Sequence, residues 1–153
     1  MRRIALCLFA LVVLAAGAGC GESDSGPALS SEEFVKRANA ICKDGDTKLA
    51  EEGKELLADP NTSADKLTEF YLKHAVPNAR TKLKEIGELN PPAKDRDEVK
   101  KMLAAGKRAT DTVEKGLKEQ GTAFRQAQGD DLFKEFDDKA KKLKLTDCAG
   151  PSS

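Results

Sequence analysis

The residues of this chain able to do chemistry are few: one histidine, four cysteines, two methionines and an Asp-Gly-Asp run. His74 is the lone histidine, so a zinc site would need its other protein ligands from carboxylates or cysteines. Four-helix bundles can also hold haem iron between one His and one Met, which would pair His74 with Met102 on the next helix; without a CxxCH attachment motif, His74 reads instead as a packed histidine at the edge of an apolar face. Di-iron sites of the ferritin type need Glu-x-x-His on two helices, which one histidine excludes. Asp44-Gly45-Asp46 with Glu55 matches the first, third and twelfth positions of a calcium loop. Lys48 and Leu49 then fall where a ligand and a glycine are required, so the match fails. Lys100-Lys101 and the lysines from Lys139 to Lys144 are interleaved with or flanked by Asp97, Glu98, Asp137 and Asp138, the pattern of solvated helix faces with i,i+4 pairs. No Ser-His-Asp arrangement, phosphate loop or paired-carboxylate motif is present. These residues predict no catalytic site, metal or cofactor.

The cysteines depend on where the chain resides. Arg2 and Arg3 precede an apolar run from Ile4 to Ala16, then Gly17-Ala18-Gly19-Cys20 and a polar stretch. A charged start, a short apolar core and small residues make an export signal over residues 1–19. The run is about 13 residues, short of the roughly 20 that span a bilayer as a helix. Ala18-Gly19-Cys20 resembles the bacterial lipoprotein signal, in which the cysteine receives a diacylglycerol and becomes the first residue. Gly17 stands where that signal usually carries an aliphatic residue, and Ala16-Gly17-Ala18 also allows plain secretory cleavage after Ala18. Ile4-Ala5 after the arginines does not fit the twin-arginine signal. The expected location is the outer face of a bacterial cytoplasmic membrane, held by a lipid on Cys20, with free secretion as the alternative.

Cys7 leaves with the signal and Cys20 is taken by the lipid, so Cys42 and Cys148 remain. A pair in an exported chain predicts a disulfide. A redox-active pair would want CxxC or an isolated low-pKa thiol, and neither is visible.

About 134 residues follow the signal, enough for one domain. The full chain has 26 basic and 26 acidic residues; without Arg2 and Arg3 the count is 24 against 26, a formal charge of −2. Such balance gives no general attraction to nucleic acid or to an anionic surface. With no Trp, one Tyr and six Phe, stacking platforms for bases are not expected.

Four helices account for the chain. Gly21 to Leu29 has no apolar period and reads as a tether, so residues 20–30 carry the lipidated cysteine and linker. Helix 1 opens at Ser30, with Glu33 at capping-box spacing, presents Phe34, Ala38, Ile41, Leu49 and Leu56, and stops at Asp59-Pro60. Gly45 and Gly53 fall on its apolar face. Helix 2, capped by Thr62 or Ser63, carries Leu67, Tyr71, Ala75, Ala79, Leu83 and Ile86, with a kink expected at Pro77 and an end at Asn90-Pro91-Pro92. Helix 3 keeps Val99, Met102, Leu103, Gly106, Ala109, Val113, Leu117, Phe124 and Ala127 on one face. It is expected to run through Gly121 to a cap at Gly129. Helix 4 opens at Asp130 with Leu132, Phe133, Phe136, Ala140 and Leu143. The fold class is all-α: an antiparallel up-down four-helix bundle over residues 31–148, closed by one disulfide, with a polar tail at 149–153. Short connections set the up-down order. At 1.5 Å per residue, Cys42 lies roughly 16 Å up helix 1, and a helix 4 of about 14 residues ends near that height.

Several short stretches carry a family resemblance. They are Ala38-Asn39-Ala40-Ile41-Cys42, Val76-Pro77-Asn78, Leu89-Asn90-Pro91-Pro92-Ala93, Asp131-Leu132-Phe133 and Leu145-Thr146-Asp147-Cys148. Together they resemble the small exported, often lipid-anchored helical proteins of actinobacteria. Leu143-Lys144-Leu145 stands where such relatives often show Tyr-Gly-Leu. The resemblance implies the architecture and location already read from the residues and adds no activity. The expected function is a binding or interaction module of the cell envelope, with an envelope protein as its possible partner. The alternative is a carrier of a small apolar ligand in the bundle interior, and an enzyme is the least favoured reading. A cavity inside the bundle near Pro77 or the facing glycines would favour the carrier; a filled core with an exposed apolar groove would favour the interaction module.

Overall fold

A computed structural model describes residues 27–124 and 132–150. Among these residues every regular element is helical and no strand occurs. The elements are α1 (Ser31–Ala58), α2 (Ala64–Phe70), a π-helical turn (Tyr71–Ala75), α3 (Val76–Glu88), α4 (Arg96–Gln120) and α5 (Lys134–Lys142). Since α2, the π turn and α3 follow one another without a gap, the described residues form four helical segments.

Local chemistry explains most of the boundaries. Ser30 caps α1 by accepting a hydrogen bond from the Glu33 N–H at 3.1 Å. The reciprocal half of the expected capping box is not made. The Glu33 carboxylate accepts instead from Arg37 Nε at 2.6 Å, a charge-assisted i,i+4 pair. Asp59 turns extended before Pro60, and the Thr62 hydroxyl donates to the Leu56 carbonyl at 2.6 Å, satisfying one of the last acceptors of α1. Ser63 caps α2 through the Lys66 N–H.

Pro77 has no N–H for the Lys73 carbonyl. The backbone departs from α geometry on its N-terminal side, where the Val76 N–H reaches five residues back to the Tyr71 carbonyl. The irregularity expected at Pro77 thus appears as a π turn. The two glycines of α1 lie against this arm: the Phe70 ring covers Gly53 and the Lys82 stem covers Gly45.

The expected length of the third helix is corrected. α4 does not run through Gly121; it stops at Gln120, and Gly121 takes φ 60°, ψ −150°. Side chains are excluded from that region, so glycine alone adopts it without strain. Beyond the turn, Phe124 folds back over Gly116, where a Cβ would sit 2.3 Å from its ring. Phe124 and Ala127 match the helical period of α4, so spacing alone does not reveal the reversal. Gly129 and Asp130, the expected caps, lie outside the described residues.

α5 has nine residues and ends in a Schellman motif. The Leu145 N–H bonds the Ala140 carbonyl at 2.9 Å and the Lys144 N–H bonds the Lys141 carbonyl at 3.0 Å. Lys144 occupies the left-handed position at φ 62°. It delivers Leu145 into the core, where Leu145 and Ala140 are both fully buried.

That core gathers Phe34, Ala38 and Cys42 of α1, Ile86 of α3, Val99, Met102 and Ala105 of α4, and Phe136, Ala140 and Leu145. Cys42 and Cys148 are joined by a disulfide between residues 106 apart, as expected from the pair. Beside it the Asn39 amide accepts from the Asp147 N–H at 3.1 Å and donates to the Lys144 carbonyl at 3.3 Å. At the other end of the core, the Leu29 N–H donates to the Asn90 carbonyl at 2.8 Å and docks the incoming chain.

A candidate ligand cleft between the first and last helices

Helix packing runs from α1 to α3, from α3 to α4 and from α4 to α5. Above the disulfide, α1 and α5 stand on opposite sides of a cleft of about 610 Å³. Leu132 and Phe133, just ahead of α5, line it together with side chains of α1, α3 and α4. Its apolar wall is formed by Leu49 of α1, Ala79 and Leu83 of α3, Val113 of α4, and Phe133 and Phe136 at α5. Thr110 lies at the back, buried, with its hydroxyl donating to the Gly106 carbonyl at 2.8 Å. That bond keeps its donor away from the cleft.

The rim is charged and largely paired. Lys82 forms an ion pair with Asp46 across α3 and α1. Asp138 accepts from Lys134 at 2.7 Å, and this hydrogen bond holds its carboxyl below the usual range. Asp137 accepts from the Gly150 N–H at 3.1 Å. The end of the cleft is closed by Cys42, Cys148, Ala149 and Gly150. A second cleft of about 400 Å³, beside Pro77, is lined mainly by polar and charged side chains, among them Lys48, Glu52, Lys73 and Glu85.

The other residues singled out in the sequence do not converge. His74 is half-buried on the π turn, stacked on Phe70 with ring centroids 5.2 Å apart, and its Nδ1 lies 2.9 Å from Glu52. Met102 belongs to the core cluster, from which His74 is absent. Asp44, Asp46 and Glu55 all lie within α1, so they form no calcium loop. Among the described residues, no three His, Cys, Asp or Glu side chains are placed to hold a metal. Cys20 lies outside the described residues. The cleft itself was legible only in part: Leu49, Leu83 and Val113 read as core positions, and the gap that leaves them half-buried did not.

Away from the cleft, Arg80 bridges Asp111 at 2.8 Å and Glu114 at 2.5 Å, and Lys107 and Lys118 engage the same two carboxylates. Lysine and arginine hydrogen bonds lower the pKa of Glu33, Glu69, Glu98, Asp111, Glu114 and Asp138. A carboxylate whose folded pKa lies below its unfolded value stabilises the fold above the unfolded pKa and loses that contribution as pH falls through the folded one. The thermal midpoint is therefore expected to be level above about pH 5 and to fall below about pH 4. The fall should shrink in about 1 M salt, because these pairs are exposed and screened. Melts across that range at low and high salt check this; a midpoint that rises on acidification contradicts it.

No helix among the described residues is long and apolar enough to cross a membrane. No family model, curated protein or solved structure matches the chain.

Proposed function

We propose that this chain is an exported lipoprotein, anchored through Cys20 to the outer face of a bacterial cytoplasmic membrane. Its antiparallel up-down four-helix bundle binds a small, largely apolar ligand in the cleft between α1 and α5. The observation that carries this reading is the cleft: about 610 Å³ with an apolar wall and a charged rim. Small-molecule sites typically measure roughly 300–1,000 Å³ and have the same division of lining. Export rests on the residues from Arg2 to Cys20, and a disulfide suits an oxidising compartment. The up-down order rests on the short connections at 59–63 and 89–95.

Docking of an envelope protein on an apolar outer face has less support. Among the described residues, Leu57 is the large hydrophobic side chain that stands exposed. The rim also speaks for binding over catalysis, because Asp46 and Asp137 are engaged by Lys82 and by the Gly150 N–H.

The test is photolabelling of the mature chain, purified from its host, with a diazirine-bearing fatty acid and peptide mapping by mass spectrometry. Labels are expected on peptides holding Leu83, Val113 and Phe133, with unlabelled fatty acid competing. Ala79→Trp, which fills the cleft from α3, is expected to cut this labelling at least tenfold. Labels scattered over the surface and indifferent to Ala79→Trp would refute the site. The intact mass of the same preparation reports whether Cys20 carries a diacylglycerol.

A further inference from the structure

We propose that the Cys42–Cys148 bond is a clasp that sets the width of the cleft, so that ligand binding requires the oxidised pair. This rests on the cleft being the binding site. The two helices that flank the cleft, α1 and α5, share the buried cluster below it, and the larger helix contacts run from α1 to α3, α3 to α4 and α4 to α5. At the end of the cleft they are joined by the segment after α5, whose Cys148 is bonded to Cys42 of α1. Cys42, Asp147, Cys148, Ala149 and Gly150 all border the cleft, so the clasp and its flanking residues are themselves part of the wall.

What holds this wall apart from the sulfurs is modest. Ala149 packs on the edge of the core, and the Cys148 and Ala149 N–H groups each donate to the Leu145 carbonyl at 3.2 Å. Asn39 bonds the backbone at Lys144 and Asp147 through exposed contacts, and Asp137 bonds the Gly150 N–H. Such hydrogen bonds exchange with water at little net cost. The core below takes in the Cys42 side chain, but the contacts among Phe34, Ala38, Phe136, Ala140 and Leu145 do not run through the S–S bond. The Schellman turn at Lys144 fixes Leu145 independently. Reduction should thus free the wall while sparing the helices. A dithiol reductant supplies two electrons and two protons, the S–S bond breaks to two thiols, and the reductant closes to its own disulfide. Residues 147–150 then leave the cleft, and the apolar wall is opened to water from that side.

The mature chain is labelled with the same diazirine fatty acid, oxidised and then in dithiothreitol, with circular dichroism on both samples. Reduction is expected to lower labelling of the cleft peptides at least tenfold with helicity retained; the Cys42→Ser/Cys148→Ser chain should behave like the reduced one. Unchanged labelling in a helical reduced chain overturns the clasp. Collapse of the helical signal overturns it too, because the bond would then hold the fold and not the cleft. If the oxidised chain is not labelled, or ignores Ala79→Trp, the binding site itself is wrong and the clasp falls with it. Sensitivity to Ala79→Trp without sensitivity to reduction rejects the clasp alone.

Discussion

Phe34→Ala is expected to lower stability by about 3–5 kcal/mol, the usual loss for a phenyl ring removed from a packed interior. Phe34 is 1% exposed and sits in the first turn of α1, where it belongs to the cluster shared with Ile86, Met102, Phe136 and Leu145. Alanine leaves a void bounded by three other helices and by Leu145, none of which can close on it without giving up its own contacts. For a domain whose total stability is on the order of 5–15 kcal/mol, that is a large share. The thermal midpoint should fall on the order of 10–30 °C. Leu57→Ala is the matching control: Leu57 is 54% exposed near the end of α1 and its loss should cost under about 0.5 kcal/mol. Urea unfolding of the two variants separates the cases. A Phe34→Ala loss below about 1 kcal/mol would mean that the start of α1 is not docked on the core.

The second large effect is on the unfolded chain. Cys42→Ser/Cys148→Ser is expected to lower stability by roughly 4–5 kcal/mol in the loop-entropy picture, because the bond closes a loop over most of the domain. Its separation of 106 residues places it at the long end of that relation. The helical signal at low temperature should persist, since the buried cluster keeps Phe34, Ile86, Met102, Phe136 and Leu145 in place. Urea titration of the double variant against the oxidised chain measures the loss. A midpoint unchanged by the double substitution would show that the unfolded ensemble already keeps its two ends together.

The parts of the fold legible in the sequence are those fixed by neighbours along the chain. Ser30 and Ser63 announce helix starts because a hydroxyl three residues before an N–H can satisfy it. The buried face of α4 follows Val99, Met102, Gly106, Ala109 and Leu117, as the period requires. Features set by competition or by distant contacts were not legible. Glu33 had the spacing for a capping box, but Arg37 one turn on offers it a full charge. Gly121 looked like a tolerated glycine until its φ of 60° showed a reversal that brings Phe124 back to Gly116. Lys144 hides a helix-ending turn because the usual signal is glycine, and lysine adopts the left-handed conformation only at some cost. The cleft brings together side chains of α1, α3, α4 and α5, a juxtaposition that no periodicity records.

Leu145, delivered by that turn at Lys144, touches a cluster that begins with Phe34. Helical proteins usually fold fast because their contacts are local in sequence. Here the contacts that complete the interior join the first helix to the residues after the last one. Their loop-closure entropy must be met before they form. Any chain cut short of Leu145, in synthesis or by proteolysis, keeps α1 with its apolar face partly uncovered, so the domain reaches its final state only when its whole length is available.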